Sequence, residues 1–158
     1  MNSQLITIIY HETMKYHQGK FSPKNPEKYI GDSTKIFYRS GWEKKTMLFF
    51  DNNESILEWG SEEIIIPYLS PVDNRIHRYF PDFVVVSKSA DGKINRYLVE
   101  VKPKAQTLPP KMKKKATPRM LTEIMTYEVN QAKWAAAEHW CKTKKMSFLI
   151  LTEEHIKP

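Results

Sequence analysis

Two acidic residues and one lysine lie inside apolar segments of the sequence, where a plain hydrophobic core would have valines. Asp82 follows Pro81 and stands just before an apolar run, and Glu100 and Lys102 flank Val101 in a second apolar segment. Burying such charges costs several kcal/mol unless they pair with one another or bind a cation. The pattern therefore predicts that these charged side chains form one site.

The chemistry that suits two carboxylates beside a lysine is metal-assisted hydrolysis of phosphodiester bonds. Asp82 and Glu100 offer oxygen ligands for Mg²⁺, with Mn²⁺ as the alternative ion, and the carbonyl of Val101 is a further candidate ligand. Lys102 is expected to orient or help deprotonate the attacking water, or to neutralise charge on the scissile phosphate. The single cysteine, Cys141, excludes a disulfide framework and a thiolate zinc cluster.

Strand and turn patterns predict how these residues are positioned. One strand is expected from Arg75 to Ser87, a hairpin turn at Ala90-Asp91-Gly92, and a returning strand from Ile94 to Lys102. Alternation along the returning strand places Glu100 and Lys102 on the same face of the sheet. The two carboxylates are then expected to meet across neighbouring strands.

The remaining elements predict an α/β (α+β) fold with a mixed central sheet flanked by helices, in the order αβββαβ. Ser40 and Glu43 have the capping-box spacing, so a helix is expected from Ser40 until Asp51-Asn52-Asn53. Its apolar face is expected to hold Trp42, Thr46, Phe49 and Phe50. Further short strands are expected at 56–59, 63–68 and 146–151.

A long second helix is expected after Thr117-Pro118, because threonine is a good N-cap and proline suits the first helical position. Its buried face is expected to hold Leu121, Ile124, Met125, Val129, Ala132, Ala135, Ala136 and Trp140.

The chain of 158 residues has the size of a single domain. Residues 1–35 show little periodicity, which predicts an N-terminal arm with one short strand at 4–10. Residues 36–158 are expected to form the folded domain. Because no apolar run approaches the roughly 18 residues that a membrane helix needs, no membrane partner is expected.

Positive charge is concentrated in one stretch, Lys102–Arg119, which we call the basic loop. The chain has 25 Lys+Arg against 18 Asp+Glu, and the loop contains no acid and four prolines, which are expected to prevent a helix. Such a loop suits the phosphate backbone of DNA, and a solvated linker is the alternative. The candidate DNA-binding residues are Lys104, Lys111, Lys113, Lys114, Lys115 and Arg119.

Several motifs resemble a known nuclease family. Pro81-Asp82 followed by Glu100-Val101-Lys102 resembles the PD-(D/E)xK motif of the restriction-endonuclease-like nucleases. Additional similar segments, between about Met14 and Glu153, include Tyr38-Arg39-Ser40, Trp59-Gly60-Ser61-Glu62, Ile66-Pro67-Tyr68 and Lys102-Pro103-Lys104. Together they resemble the head completion nucleases of T-even-type bacteriophages, which are related to the TnsA-type transposon endonucleases.

The resemblance implies a Mg²⁺-dependent DNA endonuclease that acts during phage head completion, after DNA packaging. It implies double-stranded DNA contacted through its backbone, phage head or portal proteins as partners, and the host cytoplasm during assembly or the finished head as location. The alternative function is a non-catalytic DNA-binding or structural head protein built on a nuclease-like fold.

The resemblance also extends the candidate site. Related nucleases use a glutamate from the first helix, which adds Glu43 to the catalytic and metal-binding residues. The local sequence instead favours a helix-capping role for Glu43, so both roles stay open at this point. Some related nucleases place a supporting polar group on the long helix, where Asn130, Gln131 and Lys133 lie, although an exposed helix face also explains these residues.

Overall fold

The computed structural model describes residues 17–156, which form eight strands and four α-helices. The strands are β1 Gly19–Phe21, β2 Ile36–Tyr38, β3 Ile56–Ser61, β4 Ile66–Leu69, β5 Ile76–Tyr79, β6 Phe83–Lys88, β7 Ile94–Val101 and β8 Ser147–Leu151. The helices are α1 Gly41–Asn52, α2 Lys104–Thr107, α3 Pro118–Thr143 and α4 Glu153–Ile156. The strand predicted at 4–10 lies outside the described residues.

A four-stranded mixed sheet forms the centre of the fold, with the strand order β3-β6-β7-β8. β6 pairs antiparallel with both β3 and β7, whereas β8 pairs parallel with β7 after the crossover through α3. In chain order, α1, β3, β6, β7, α3 and β8 give the predicted αβββαβ core. The hairpin β4–β5 is inserted between its first two strands as a separate two-stranded sheet.

Alternation along the central strands gives the sheet two apolar faces, each covered by one long helix. On one face, α1 packs Met47 and Phe50 against Trp59, which is fully buried. Thr46 and Phe50 are buried as expected, but Phe49 is 57% exposed, so its assignment to the buried face is wrong. The helix itself begins after the Ser40 cap and ends at Asn52, as predicted.

On the other face, α3 packs Trp134, Ala137 and Cys141 against Leu98 of β7. This buried stripe follows the helical spacing of three to four residues. Four residues of the predicted face, Val129, Ala132, Ala136 and Trp140, are partly buried against it, whereas the assignment of Leu121 and Met125 to the buried face is wrong because both are exposed. The start of the helix is confirmed, because the side chain of its N-cap, Thr117, accepts a hydrogen bond from the backbone N–H of the third helical residue.

The strand predicted from Arg75 to Ser87 is two strands in two different sheets. β5 ends at Tyr79 and pairs with β4, and β6 begins at Phe83 in the central sheet. The prediction of one continuous strand is wrong because Pro81, which is buried between them, has no N–H to continue a ladder. Asp82 consequently lies immediately before β6 and not within a strand.

The described part of the first 35 residues packs against α1. The buried carboxylate of Asp51 accepts hydrogen bonds from the backbone N–H groups of Lys24 and Asn25, at 2.7 and 3.1 Å. The ammonium of Lys28 donates to the carbonyls of Phe50, Asp51 and Asn53, so it caps the end of the helix. The division of the chain into an arm and a domain at residue 35 stays a prediction.

The basic loop contains the one-turn helix α2, so the prediction that its prolines prevent helix formation is wrong for Lys104–Thr107. No proline falls inside this turn, and Pro103 occupies its N-cap position, where a missing N–H costs little. Within residues 17–156, no helix has the length and apolar character needed to cross a membrane.

Candidate active site

Asp82 is fixed to β7 by a short hydrogen bond. Its Oδ2 atom accepts from the backbone N–H of Val101 at 2.7 Å, because Asp82 lies one residue before β6 and β6 pairs with β7. Its backbone carbonyl accepts from the N–H of Glu62, just beyond β3, at 3.0 Å. The loop that carries Asp82 is therefore held by both neighbouring strands of the central sheet.

Glu100 lies beside Asp82 and is 5% exposed. Its Oε2 accepts from the hydroxyl of Tyr79 at 2.7 Å, and its Oε1 accepts from the ammonium of Lys102 at 3.2 Å. Lys102, the first residue after β7, lies on the same face as Glu100, as strand alternation predicts, and this face is the one covered by α3. The structure thus brings Asp82, Glu100 and Lys102 together.

Tyr79 is a part of the site that the sequence analysis missed. It is the last residue of β5, and its side chain is 3% exposed. A single strand over residues 75–87 does not predict a contact between Tyr79 and Glu100, since a separate hairpin is required to bring Tyr79 against Glu100. Burial, followed by the charge of Glu100, raises the pKa of the Tyr79 hydroxyl far above its usual range, so it acts as a hydrogen-bond donor.

The electrostatics of the site disfavour the ionised form of Asp82. Burial, followed by the charge of Glu100, raises the pKa of Asp82 well above its usual value, and the charge of Glu43 adds to the effect. The hydrogen bond from Val101 and the charge of Lys102 oppose this shift without cancelling it. The negative charge therefore exceeds what the nearby ammonium group offsets.

Lys133 of α3 is a second cation near the acids. Its ammonium lies 5.6 Å from the ring centroid of Tyr79 and 5.7 Å from that of Tyr68. Burial and the charge of Lys102 lower the pKa of Lys133, while the charges of Glu100 and Asp82 raise it. Lys133 is therefore half-buried beside the acidic pair and does not belong to an ordinary exposed helix face.

Glu43 caps its own helix in this structure. Its Oε2 accepts from the N–H of Arg39 at 2.9 Å, and its Oε1 accepts from the Ser40 hydroxyl at 3.1 Å. Ser40 Oγ in turn accepts from the N–H of Glu43 at 3.1 Å, which completes a reciprocal cap. Because the charge of Glu43 also acts on Asp82, its carboxylate lies close to the candidate site. A catalytic or metal-binding role for Glu43 stays a prediction.

The donor atoms present fit a hard divalent cation. Mg²⁺ binds through one or two carboxylates, water and substrate phosphate oxygens, and Asp82 and Glu100 supply such carboxylates. Within residues 17–156 no three carboxylate, imidazole or thiol side chains form a cage for a metal. Water and phosphate oxygens would therefore have to complete the coordination. The ligand role of the Val101 carbonyl stays a prediction.

The candidate DNA-binding lysines are in different surroundings. Lys111, Lys113 and Arg119 line a groove of about 680 Å³ between the basic loop and the first half of α3. Two of the candidates are paired with acids: Arg119 with Glu123 at 3.0 Å and Lys104, outside the groove, with Glu154 at 2.6 Å. The structure leaves Lys114 and Lys115 exposed outside this groove. Their contacts with DNA stay predictions.

Comparison with known proteins identifies similar proteins for most of the chain. Residues 53–153 match the protein family described as TnsA-like endonuclease N terminal. The chain is also 39% identical, over 145 residues, to the head completion nuclease of Enterobacteria phage T4, and the similarity covers 89% of this chain and 94% of that protein. The matched region includes Asp82, Glu100 and Lys102.

Proposed function

This chain belongs to the TnsA-like endonuclease family, and we propose that it is a metal-dependent deoxyribonuclease in which Asp82 and Glu100 hold Mg²⁺ and Lys102 assists the attacking water. The observation that carries the proposal is the meeting of two acids and a lysine at one end of β6 and β7. Mn²⁺ is the alternative ion, since it accepts the same oxygen ligands.

The residues of the site have separable tasks in this proposal. A bound Mg²⁺ ion supplies Lewis acidity toward a phosphate oxygen and lowers the pKa of a bound water. Tyr79 orients Glu100 through its hydrogen bond, and the N–H of Val101 orients Asp82. Lys102 is near enough to Glu100 to hold or release a proton beside the acids, or to offset negative charge that develops on the phosphate.

Glu43 is proposed as the third acid of the site. This role requires its carboxylate to leave Arg39 and Ser40, because a carboxylate that caps α1 with both oxygens is not available to a cation. Its position within electrostatic reach of Asp82 supports the proposal. The cap is then a resting arrangement that metal binding would replace.

The biological setting is proposed from the relative of known name. The relative is named a head completion nuclease of a phage, so we propose phage head completion after DNA packaging as the step at which this protein works. The proposed partners are double-stranded DNA and phage head or portal proteins. The proposed location is the host cytoplasm during assembly, with the finished head as the alternative.

A plasmid-nicking assay tests the enzymatic proposal. Wild type and Lys102→Ala are each incubated with supercoiled plasmid in Mg²⁺ and in EDTA, with Lys88→Ala as a matched variant at an exposed lysine. We expect nicking only in Mg²⁺, a loss of about 100-fold or more in Lys102→Ala, and wild-type activity in Lys88→Ala. Equal loss of supercoiled plasmid in all the reactions would overturn the proposal. DNA binding without metal-dependent cleavage would favour the non-catalytic DNA-binding function instead.

A further inference from the structure

A second concave surface lies at the opposite end of β7 from Glu100. This distal groove has a volume of about 510 Å³, and its polar and charged lining consists of Lys93, Asn95, Arg96, Lys144, Lys145 and Ser147. It forms where the β6–β7 hairpin meets the connection between α3 and β8. None of these residues belongs to the candidate active site of Asp82, Glu100 and Lys102 or to the basic loop.

The tertiary structure brings these residues together from two distant parts of the chain. Tyr97 pairs with Ser147 across β7 and β8, so the beginnings of the two parallel strands are adjacent. Lys145 has a φ angle of 56°, and this left-handed turn reverses the chain from the end of α3 into β8. Residues of the hairpin and of the helix end therefore line the same groove.

The charge of the distal groove is not balanced by nearby acids. No acidic side chain lines it, and none of its four cations forms an ion pair within residues 17–156. Asp91 is near in the chain, but it accepts from the Ser89 hydroxyl and the Lys93 N–H within the hairpin turn. Cations at a helix C-terminus complement the helix dipole, which explains the lysines after α3 but not Lys93 and Arg96.

The distance between the distal groove and the acids Asp82 and Glu100 is short enough for one DNA duplex to contact both. Arg96 and Glu100 are four residues apart on β7, which corresponds to roughly 13 Å at about 3.3 Å per residue. Lys133 of α3 and Lys144, the residue after its last turn, are separated by eleven residues, or roughly 16 Å at about 1.5 Å per residue. With about 3.4 Å per nucleotide along each strand, these distances correspond to roughly four to five base pairs.

We propose that the distal groove binds backbone phosphates of the same DNA duplex, roughly four to five base pairs from the bond that is cut. This inference rests on the proposed function, because it assumes that the duplex also reaches the acidic pair. The four cationic residues that line the groove attract a polyanion through counterion release, and phosphate contacts of this kind position a duplex without reading its sequence. The groove thus sets the direction in which the duplex leaves the catalytic site.

Fluorescence anisotropy with a labelled 30-bp duplex in EDTA tests the proposal without requiring cleavage. The double variant Arg96→Gln/Lys145→Gln removes two groove cations, and Lys20→Gln/Lys24→Gln removes two exposed cations elsewhere as a matched control. We expect the slope of log K against log salt to become shallower by about 2 in the groove variant, since each lost phosphate contact contributes about 0.9. The control variant should keep the wild-type slope.

Three results would overturn this proposal: an unchanged slope in the groove variant, an equal change in both double variants, or a wild-type protein that does not bind the duplex. The plasmid-nicking assay with Lys102→Ala separates this inference from the proposed function. Unchanged nicking in Lys102→Ala together with a shallower slope in the groove variant would reject the assigned catalytic role and retain the distal groove as a DNA-binding surface. Loss of nicking in Lys102→Ala with an unchanged slope in the groove variant would retain the assigned catalytic role of Lys102 and reject the distal groove as a DNA-binding surface.

Discussion

The hydroxyl of Tyr79 donates a 2.7 Å hydrogen bond to Oε2 of Glu100, across a separation of 21 residues in the chain. Tyr79 ends the small hairpin sheet and Glu100 lies near the end of β7 in the central sheet. The inserted hairpin therefore does more than cover the apolar face, because it orients one of the two acids at the candidate active site.

Replacing Tyr79 with phenylalanine should reduce nicking while leaving the protein folded. The variant loses the hydrogen bond that orients Glu100, and groups that orient metal-binding residues are typically worth about 10- to 100-fold in activity or metal affinity. The stability cost should be about 1 kcal/mol, measured by thermal unfolding. Tyr68→Phe is the matched control, since Tyr68 lies in the same hairpin and forms no hydrogen bond with Glu100. Equal activity in the two variants would contradict an orienting role for Tyr79.

Glu43→Gln should separate the capping role from the metal-binding role. Glutamine serves in a capping box as glutamate does, so the melting temperature should change little. If Glu43 is the third acid of the site, Mg²⁺-dependent nicking should fall by about tenfold or more, because an amide is a poorer ligand for a hard cation. Ser40→Ala is the complementary variant, and it should cost about 1 kcal/mol of stability while the acid is retained. If Glu43→Gln nicks plasmid as fast as wild type, Glu43 has the helix-capping role and is not the third acid of the site.

Asp51→Ala should destabilise the protein without acting on the candidate site directly. Asp51 is 1% exposed, and its carboxylate accepts the N–H groups of Lys24 and Asn25. Removal leaves both donors without this partner, which should cost about 3 kcal/mol. Urea unfolding measures this loss, and Glu54→Ala provides a comparison at an exposed acid near the same helix end. Similar unfolding midpoints for the two variants would mean that Asp51 does not anchor the preceding segment.

The thiol of Cys141 should react slowly with alkylating reagents in the native protein. Burial raises the pKa of the Cys141 thiol to about 11, so about one molecule in a thousand carries the thiolate at pH 8. The rate of labelling with iodoacetamide, measured by mass spectrometry, should rise about tenfold for each unit by which the pH is raised, as long as the pH stays below that pKa, because the thiolate is the nucleophile. The unfolded protein at pH 8 should label rapidly. Fast labelling of the native protein would show that Cys141 is accessible and has a lower pKa.

Much of the fold was predictable because its signals are local. The capping residues Ser40 and Thr117 mark the starts of the two long helices, and both accept the expected backbone hydrogen bonds. Alternation along β7 places Glu100 and Lys102 on one face. The selection of the buried helix faces was less predictable, as the exposed Phe49 shows, because apolar residues occur on more than one side of each helix and packing decides between them.

The sequence by itself determined the αβββαβ order and the shared face of Glu100 and Lys102, because strand period and helix caps depend on neighbouring residues alone. Only the tertiary structure decided that residues 75–87 divide at Pro81, that Tyr79 meets Glu100, and that Lys133 lies beside the acids. These contacts join residues from separate elements. No local pattern specifies them, since they form only when the hairpin and α3 pack against the same face of the central sheet.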